Sequence, residues 1–222
     1  AWGGYSACLQ YNEDIRRIIA HLEDKGVTPI EFTKLRQFYD HPTFIRLMAD
    51  ALRESLDKVP DGRTTRVLFT AHSVPTAADE AAGGPEDPHL YSRQVAEASR
   101  LIAEAAGVTG YDVVWQSRSG NPRTPWLEPD IVDHTTAIAA DGVDAVVVCP
   151  VGFISDHMEV IWDLDTELVD AARDLGVHVE RTRTAGPEQE FAGMVVDIID
   201  ELVANDPPTS LGEVTVQGCT VD

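Results

Sequence analysis

Apolar positions recur along this chain with two alternating periods. Between residues 6 and 23, Ile15, Ile18, Ile19 and Leu22 fall on one face of a helix. After Gly26, the run 27–32 is short and rich in β-forming residues. Residues 42–58 return to the helical period and open with proline, whose missing N–H costs nothing in a first turn. RVLFT at 66–70 is a run of the kind found in a strand buried on both faces. A polar stretch, 76–88, leads into a helix over 89–106, and YDVVWQ at 111–116 predicts the next strand. A loop over 117–128, broken by Pro122 and Pro125, precedes a helix over 129–140. AVVVC at 145–149 is the clearest strand; 156–175 predicts a helix, 177–181 a strand and 188–204 a final helix. Residues after 205 show little pattern and are expected to be exposed.

Strands separated by helices, with runs too apolar for one wet face, predict an α/β fold. Its core is a Rossmann-like parallel sheet with helices on both faces. In such sheets ligands sit beyond the carboxyl ends of the strands. The residues that follow RVLFT, YDVVWQ and AVVVC are therefore the place to look for chemistry.

AHSVP at 71–75 puts His72 at the end of the first of these strands. An imidazole there can take a proton or ligate a divalent metal, or it can be a hydrogen-bonded structural histidine. After AVVVC, the sequence PVGFISDHME leads into a helix on which Glu159, Asp163 and Glu167 are spaced by four. That spacing builds one acidic ridge, suited to a divalent cation or to passing protons. The competing reading is a capping box from Asp156 to Glu159, with Asp163 and Glu167 on a solvated face. The loop SRSGNPRTPWL at 117–127 can wall a flat ligand with Trp126, or simply connect two elements. Arg118 and Arg123 in it can meet ligand carboxylates or face solvent. The other histidines lack zinc-ligand spacing, no glycine-rich phosphate loop occurs, and Ser73 is not in a nucleophile elbow.

Composition narrows the classes. With 222 residues the chain suits one large domain or one and a half ordinary ones. Against 38 Asp and Glu stand only 17 Lys and Arg, a formal net charge of −21, which disfavours nucleic acid and anionic membrane surfaces. Cys8, Cys149 and Cys219 are odd in number and far apart, unlike a disulfide framework, which points to a reducing, cytoplasmic setting. No apolar run reaches the ~18 residues of a membrane span, and no signal peptide is visible. The opening AWGGYS reads as a loop, so the chain is expected to begin mid-fold.

TAHSVP, VVWQSRSGNPRTPWLEPDI and VCPVGFISDHMEVIWDLDTE together resemble the ferrochelatase family, in its order and spacing. The similarity runs from AWGGYSACLQYNEDI through the last helix. It implies two similar Rossmann-like halves with porphyrin between them, of which this chain holds one and a half, the C-terminal two-thirds. Residues 1–186 would be the C-terminal chelatase domain, 187–205 a helix packed on the missing N-terminal half, and 206–222 an exposed tail. The implied activity is insertion of Fe²⁺, a substrate, into a porphyrin in haem biosynthesis. Alternatives are a non-catalytic tetrapyrrole-binding module and a cobalt or nickel chelatase.

By the same resemblance, His72 and Glu159 are the catalytic and metal-binding pair, and Asp163 and Glu167 the ridge relaying protons or metal. Tyr11 corresponds to a porphyrin-contacting tyrosine of the coproporphyrin branch, which favours coproporphyrin III over protoporphyrin IX. Some members hold a [2Fe–2S] cluster through C-terminal cysteines. The four thiolates it needs exceed the three widely spaced cysteines here, so a truncated cluster motif with a cluster in the complete protein and a cluster-free protein both stay open, the cysteines present not supporting a cluster by themselves.

Overall fold

The structure is a computed structural model describing residues 2–4, 10–27, 31–83, 85–121 and 123–212. In chain order its elements are α1 (Tyr11–Asp24), α2 (Pro42–Leu56), β1 (Thr65–His72), α3 (Thr76–Glu80), α4 (Leu90–Ala106) and β2 (Tyr111–Gln116). There follow α5 (Ile131–Ala140), β3 (Ala145–Cys149), α6 (Met158–Trp162), a π-helical segment (Asp163–Leu168), α7 (Val169–Leu175), β4 (His178–Arg181) and α8 (Gln189–Ala204).

The four strands form one parallel sheet in the order β2-β1-β3-β4. Strand side chains alternate between faces, and the two cores follow that alternation. Val67, Phe69 and Ala71 of β1, with Val147 and Cys149 of β3, join the core that includes α2, α4 and the inner face of α8. Leu68, with Val146 and Val148, points to the opposite core, with Ile131 of α5 and Val160, Leu164 and Leu168 of the segment after β3. Both faces of the sheet are covered, as the unbroken apolar runs predicted.

Ends of helices are set by local chemistry. At α2, His41 is the N-cap, its Nδ1 accepting the Thr43 N–H at 3.2 Å. At α5, Asp130 accepts the N–H groups of Val132 and Asp133. Three expectations need correction. Among the described residues, Val27, Glu31 and Phe32 lie outside any strand, and 28–30 are outside the description. A short run becomes a strand only beside a partner, and the sheet edges are β2 and β4. Residues 76–80, given no element of their own in the polar stretch 76–88, form α3. The helix over 156–175 starts at Met158 and is π-helical in its middle.

One face of the final helix packs within this chain. Phe191, Met194 and Ile198 are buried in the core, and Phe191 meets Phe38 edge-on with centroids 5.4 Å apart. A second apolar stripe on α8, Val196, Ile199 and Val203, is exposed. The described part of the tail is exposed yet tied down. The Leu211 N–H donates to the Asp40 carbonyl at 3.0 Å, and Thr209 N–H donates to Glu201 at 2.9 Å.

Candidate active site

From β1 the chain goes first to β2 on one side and then, through α5, to β3 on the other. The β1/β3 boundary is thus where strand order reverses, the position at which parallel sheets open a crevice beyond their carboxyl ends. β1 reaches further than its neighbour, for Phe69 pairs with Cys149 and β1 runs on to His72. His72 therefore projects past the sheet.

The His72 ring is oriented by its neighbours. Nδ1 lies against the carbonyl oxygen of Ser73. A carbonyl only accepts, so Nδ1 carries the proton of the neutral ring and Nε2 presents its lone pair. The backbone oxygen of His72 accepts a hydrogen bond from the Tyr91 hydroxyl at 2.8 Å. Tyr91 is buried beside Trp115, centroids 5.8 Å apart. Burial, and then the Asp79 charge, raise its phenol pKa, so it remains a donor.

Glu159 arrives from the turn after β3. That turn packs directly on β1 because residue 152 has no side chain. A Cβ on Gly152 would stand 2.4 Å from Ala71 Cβ and 2.7 Å from its Cα. The Gly152 N–H donates to the Thr70 carbonyl at 3.1 Å, and its carbonyl accepts from Trp2 Nε1 at 3.0 Å. On the far side, Arg181 of β4 binds Asp165 at 2.7 and 2.9 Å and Asp156 at 3.0 and 3.4 Å. The capping-box reading is thereby excluded, since α6 has no side-chain cap and Asp156 is drawn to Arg181.

The outcome is a His72 Nε2 to Glu159 Oε1 distance of 3.4 Å, with the side chains 37% and 46% exposed. Neutral Nε2 and a carboxylate oxygen are both acceptors. Placed this close they repel unless a positive species, a proton or a metal ion, stands between them. Imidazole with carboxylate suits a borderline divalent ion such as Fe²⁺. Among the described residues no group of three or more His, Cys, Asp or Glu closes into a cage. Two protein donors leave most of a coordination sphere for other ligands.

Asp163 follows Glu159 by four residues and is half-buried. Its Oδ2 accepts the Gln116 Nε2 at 3.2 Å and the Ser117 hydroxyl. Glu167, one π turn further, is exposed. In a continuous α-helix each step of four advances about 40° around the axis, whereas the wider π turn carries Glu167 back toward the line of Glu159 and Asp163. Tyr11 begins α1, is 58% exposed, and among the described residues no hydrogen bond or ring contact joins it to His72 or Glu159. Arg118 faces Glu128 across its own loop at 3.7 Å. Trp126 is half-buried and its backbone bridges to Pro75.

Sequence reading did not single out Gln116, Ser117 and Tyr91. Their bonds cross between elements, which no spacing reveals. The available signal was a polar glutamine closing the apolar run YDVVW.

A family model described as Ferrochelatase matches residues 1–203. The chain belongs to the ferrochelatase family. Among curated relatives, each named coproporphyrin III ferrochelatase, that of Corynebacterium glutamicum is 58% identical over 224 residues, covering 100% of this chain and 60% of its own. That of Nocardia farcinica is 54% identical, with 100% and 63% covered, and that of Mycolicibacterium vanbaalenii 50%, with 98% and 63%. This ferrochelatase-family chain thus spans less than two-thirds of the length of those relatives. SirB from Bacillus subtilis, solved with Fe³⁺, superposes with a TM-score of 0.57 at 15% identity, over 92% of this chain and 69% of SirB. That is a likeness of fold, and it agrees with the parallel α/β architecture. Among the described residues no helix is long and apolar enough to cross a membrane.

Among the described residues the cysteine present, Cys149, is a core thiol. Cys149 is wholly buried, its thiol pushed up to about 12 by burial, while Cys8 and Cys219 lie outside the described residues.

Proposed function

We propose that the longer protein containing this chain inserts Fe²⁺ into a porphyrin, with coproporphyrin III the preferred macrocycle, and that it works in the cytoplasm. The observation that carries the reading is the facing pair His72 and Glu159 at the β1/β3 crevice, 3.4 Å apart. A free porphyrin must lose two pyrrole protons as the metal enters. The Nε2 lone pair of His72 and the Glu159 carboxylate lie within reach of the same point, so one can take a first proton while the other partners the cation, and the second proton passes to the solvent to which both side chains are open. An incomplete donor set suits an ion that must be handed on, since a closed cage would retain it.

The surroundings suit a flat apolar ligand. Met158, Ile161 and Trp162 on α6 and Ile154 before it are all exposed around Glu159. A macrocycle lying on that rim would cover them. The remaining wall belongs to the part of the protein outside this chain, as do further porphyrin contacts; Tyr11 is assigned to the porphyrin by family resemblance. Two apolar stripes await that part, Ile15, Ile18, Ile19 and Leu22 on α1, none of them buried, and Val196, Ile199 and Val203 on α8. Preference for coproporphyrin III rests on the names of the relatives.

The test is porphyrin absorbance with Fe²⁺ on the full-length protein, offering coproporphyrin III and protoporphyrin IX in turn. Insertion is expected, faster with coproporphyrin III. His72→Ala is expected to lower turnover by roughly 10²–10⁴-fold while leaving the melting temperature unchanged. Full activity without His72 would overturn the assignment. Porphyrin binding without insertion would make the protein a tetrapyrrole-binding module, and preference for Co²⁺ or Ni²⁺ would make it a chelatase of another metal.

A further inference from the structure

A groove of about 430 Å³ runs between the first residues of α2, the C-terminal half of α8 and the tail. It shares no lining residue with the His72–Glu159 pair or the acidic ridge. Four of its lining residues are acids, Asp197, Asp200, Glu201 and Asp206, and none is Lys or Arg. Glu201 is already held by Arg36 at 2.7 Å and by the Thr209 N–H. The side chains of Asp197, Asp200 and Asp206 meet no Lys or Arg among the described residues. α8 ends at Ala204 with no basic residue in its last turn, so acids gathered there oppose its own dipole. They give up stability rather than add it.

The opposite wall carries a second feature. His41 lines the groove and is 3% exposed. Its Nδ1 accepts the Thr43 N–H at 3.2 Å, so the proton of the neutral ring sits on Nε2. That Nε2–H is buried and has no hydrogen-bond partner among the described residues. A buried donor left unpaired costs about 1–3 kcal/mol, which a ligand oxygen would recover. A metal ion would need the Nε2 lone pair, which the proton occupies. An anion would suit the N–H but would be repelled by the carboxylates.

We propose that this groove binds a small organic cation, an ammonium or guanidinium compound that carries a carbonyl or hydroxyl oxygen. The cation meets Asp197, Asp200 and Asp206, and the oxygen accepts from His41 Nε2–H. The volume lies within the range of small-molecule sites. Because it shares nothing with the iron-handling pair, the site is independent of the chelatase reading.

Calorimetric titration of the full-length protein near neutral pH tests this with two probes. Argininamide carries the cationic groups and a carbonyl; agmatine carries the cationic groups without the carbonyl. Saturable binding of argininamide is expected, with agmatine roughly tenfold weaker. Asp197→Asn combined with Asp200→Asn should weaken both probes roughly tenfold. It should melt no lower than wild type, since it relieves the charge at the end of α8. His41→Asn keeps an N-cap acceptor and removes the ring N–H. It should bring argininamide down to the level of agmatine and leave agmatine within about twofold of its wild-type affinity.

Agmatine binding the wild-type protein as tightly as argininamide would overturn the proposal, and this comparison needs no variant to fold. Binding of argininamide that is not saturable, or that is indifferent to the paired aspartate substitutions, would overturn it equally. Loss of iron insertion with both binding patterns intact would sink the chelatase reading and leave this site standing.

Discussion

The site depends on one missing side chain as much as on those present. At Gly152 the backbone after β3 sits so near Ala71 that a methyl group would overlap both Cβ and Cα of that residue. Neither neighbour is the flexible end of a long side chain, so the strain must pass into the main chain that carries His72. Gly152→Ala is expected to cost about 1–3 kcal/mol, the usual penalty for overpacking. It should also widen the His72–Glu159 gap. A thermal melt and an insertion assay on the same variant of the full-length protein check both parts; an active, equally stable protein would show the contact to be relaxed. His72 itself was legible, because a histidine closing an apolar strand is visible in a string of letters. The demand for glycine at 152 was not, since it comes from residues eighty positions away in the chain.

Among the elements, the segment from α6 through the π turn to α7 carries the acidic ridge, and Arg181 fastens it to β4. That guanidinium is 17% exposed and serves Asp156, before α6, and Asp165, inside the π segment. Charge-assisted pairs held at both ends of an element restrain it better than surface pairs, which contribute little. Arg181→Met should keep the aliphatic packing while freeing both aspartates. The expected loss is about 1–2 kcal/mol, seen as a melting temperature lower by roughly 2–8 °C. An unchanged melt would mean that the two aspartates find water as good a partner. A spacing of four proposes a ridge on any helix, but the π turn that bends this one back into line is invisible to periodicity. Within it Gln116 holds Asp163 on one side while Leu164 and Leu168 are buried on the other.

Across the whole molecule, the junction of α2, α8 and the tail is built on charges that acid removes. The bidentate bond from Arg36, at 2.7 and 3.0 Å, outweighs desolvation and, with the Thr209 N–H, holds Glu201 down to about 2 from an ordinary 4.5. A carboxylate depressed on folding contributes its stability above its unfolded value and loses it as pH falls through the folded one. The loss should run from about pH 4.5 towards 2 and amount to about 2–3 kcal/mol. His41 acts in the same direction. Burial first, then the Arg36 charge, lower its pKa, and protonating Nδ1 would end the cap on Thr43. Stability from His41 is complete above about 6.5 and fades below it. Urea melts between pH 7 and 3 should show falling stability on acidification, and Glu201→Gln should flatten the lower part of the curve. A wild-type curve flat across that range would contradict the assignment of these shifts.

What this sequence determined alone was the alternation of helix and strand and the residues that end each strand, because burial on two faces writes itself as continuous apolar runs and helical stripes. It also carried the family, through three motifs in order. The sequence of letters placed His72 at the end of one strand and Glu159 in the helix that follows another, and left their distance open. Strand order decided that distance, for only the adjacency of β1 and β3 brings the two ends together. The partners of Asp163, the clamp at Arg181 and the core contacts of α8's inner face likewise emerged in three dimensions. Hydrogen bonds between remote residues depend on register and packing, and neither is a property of local spacing.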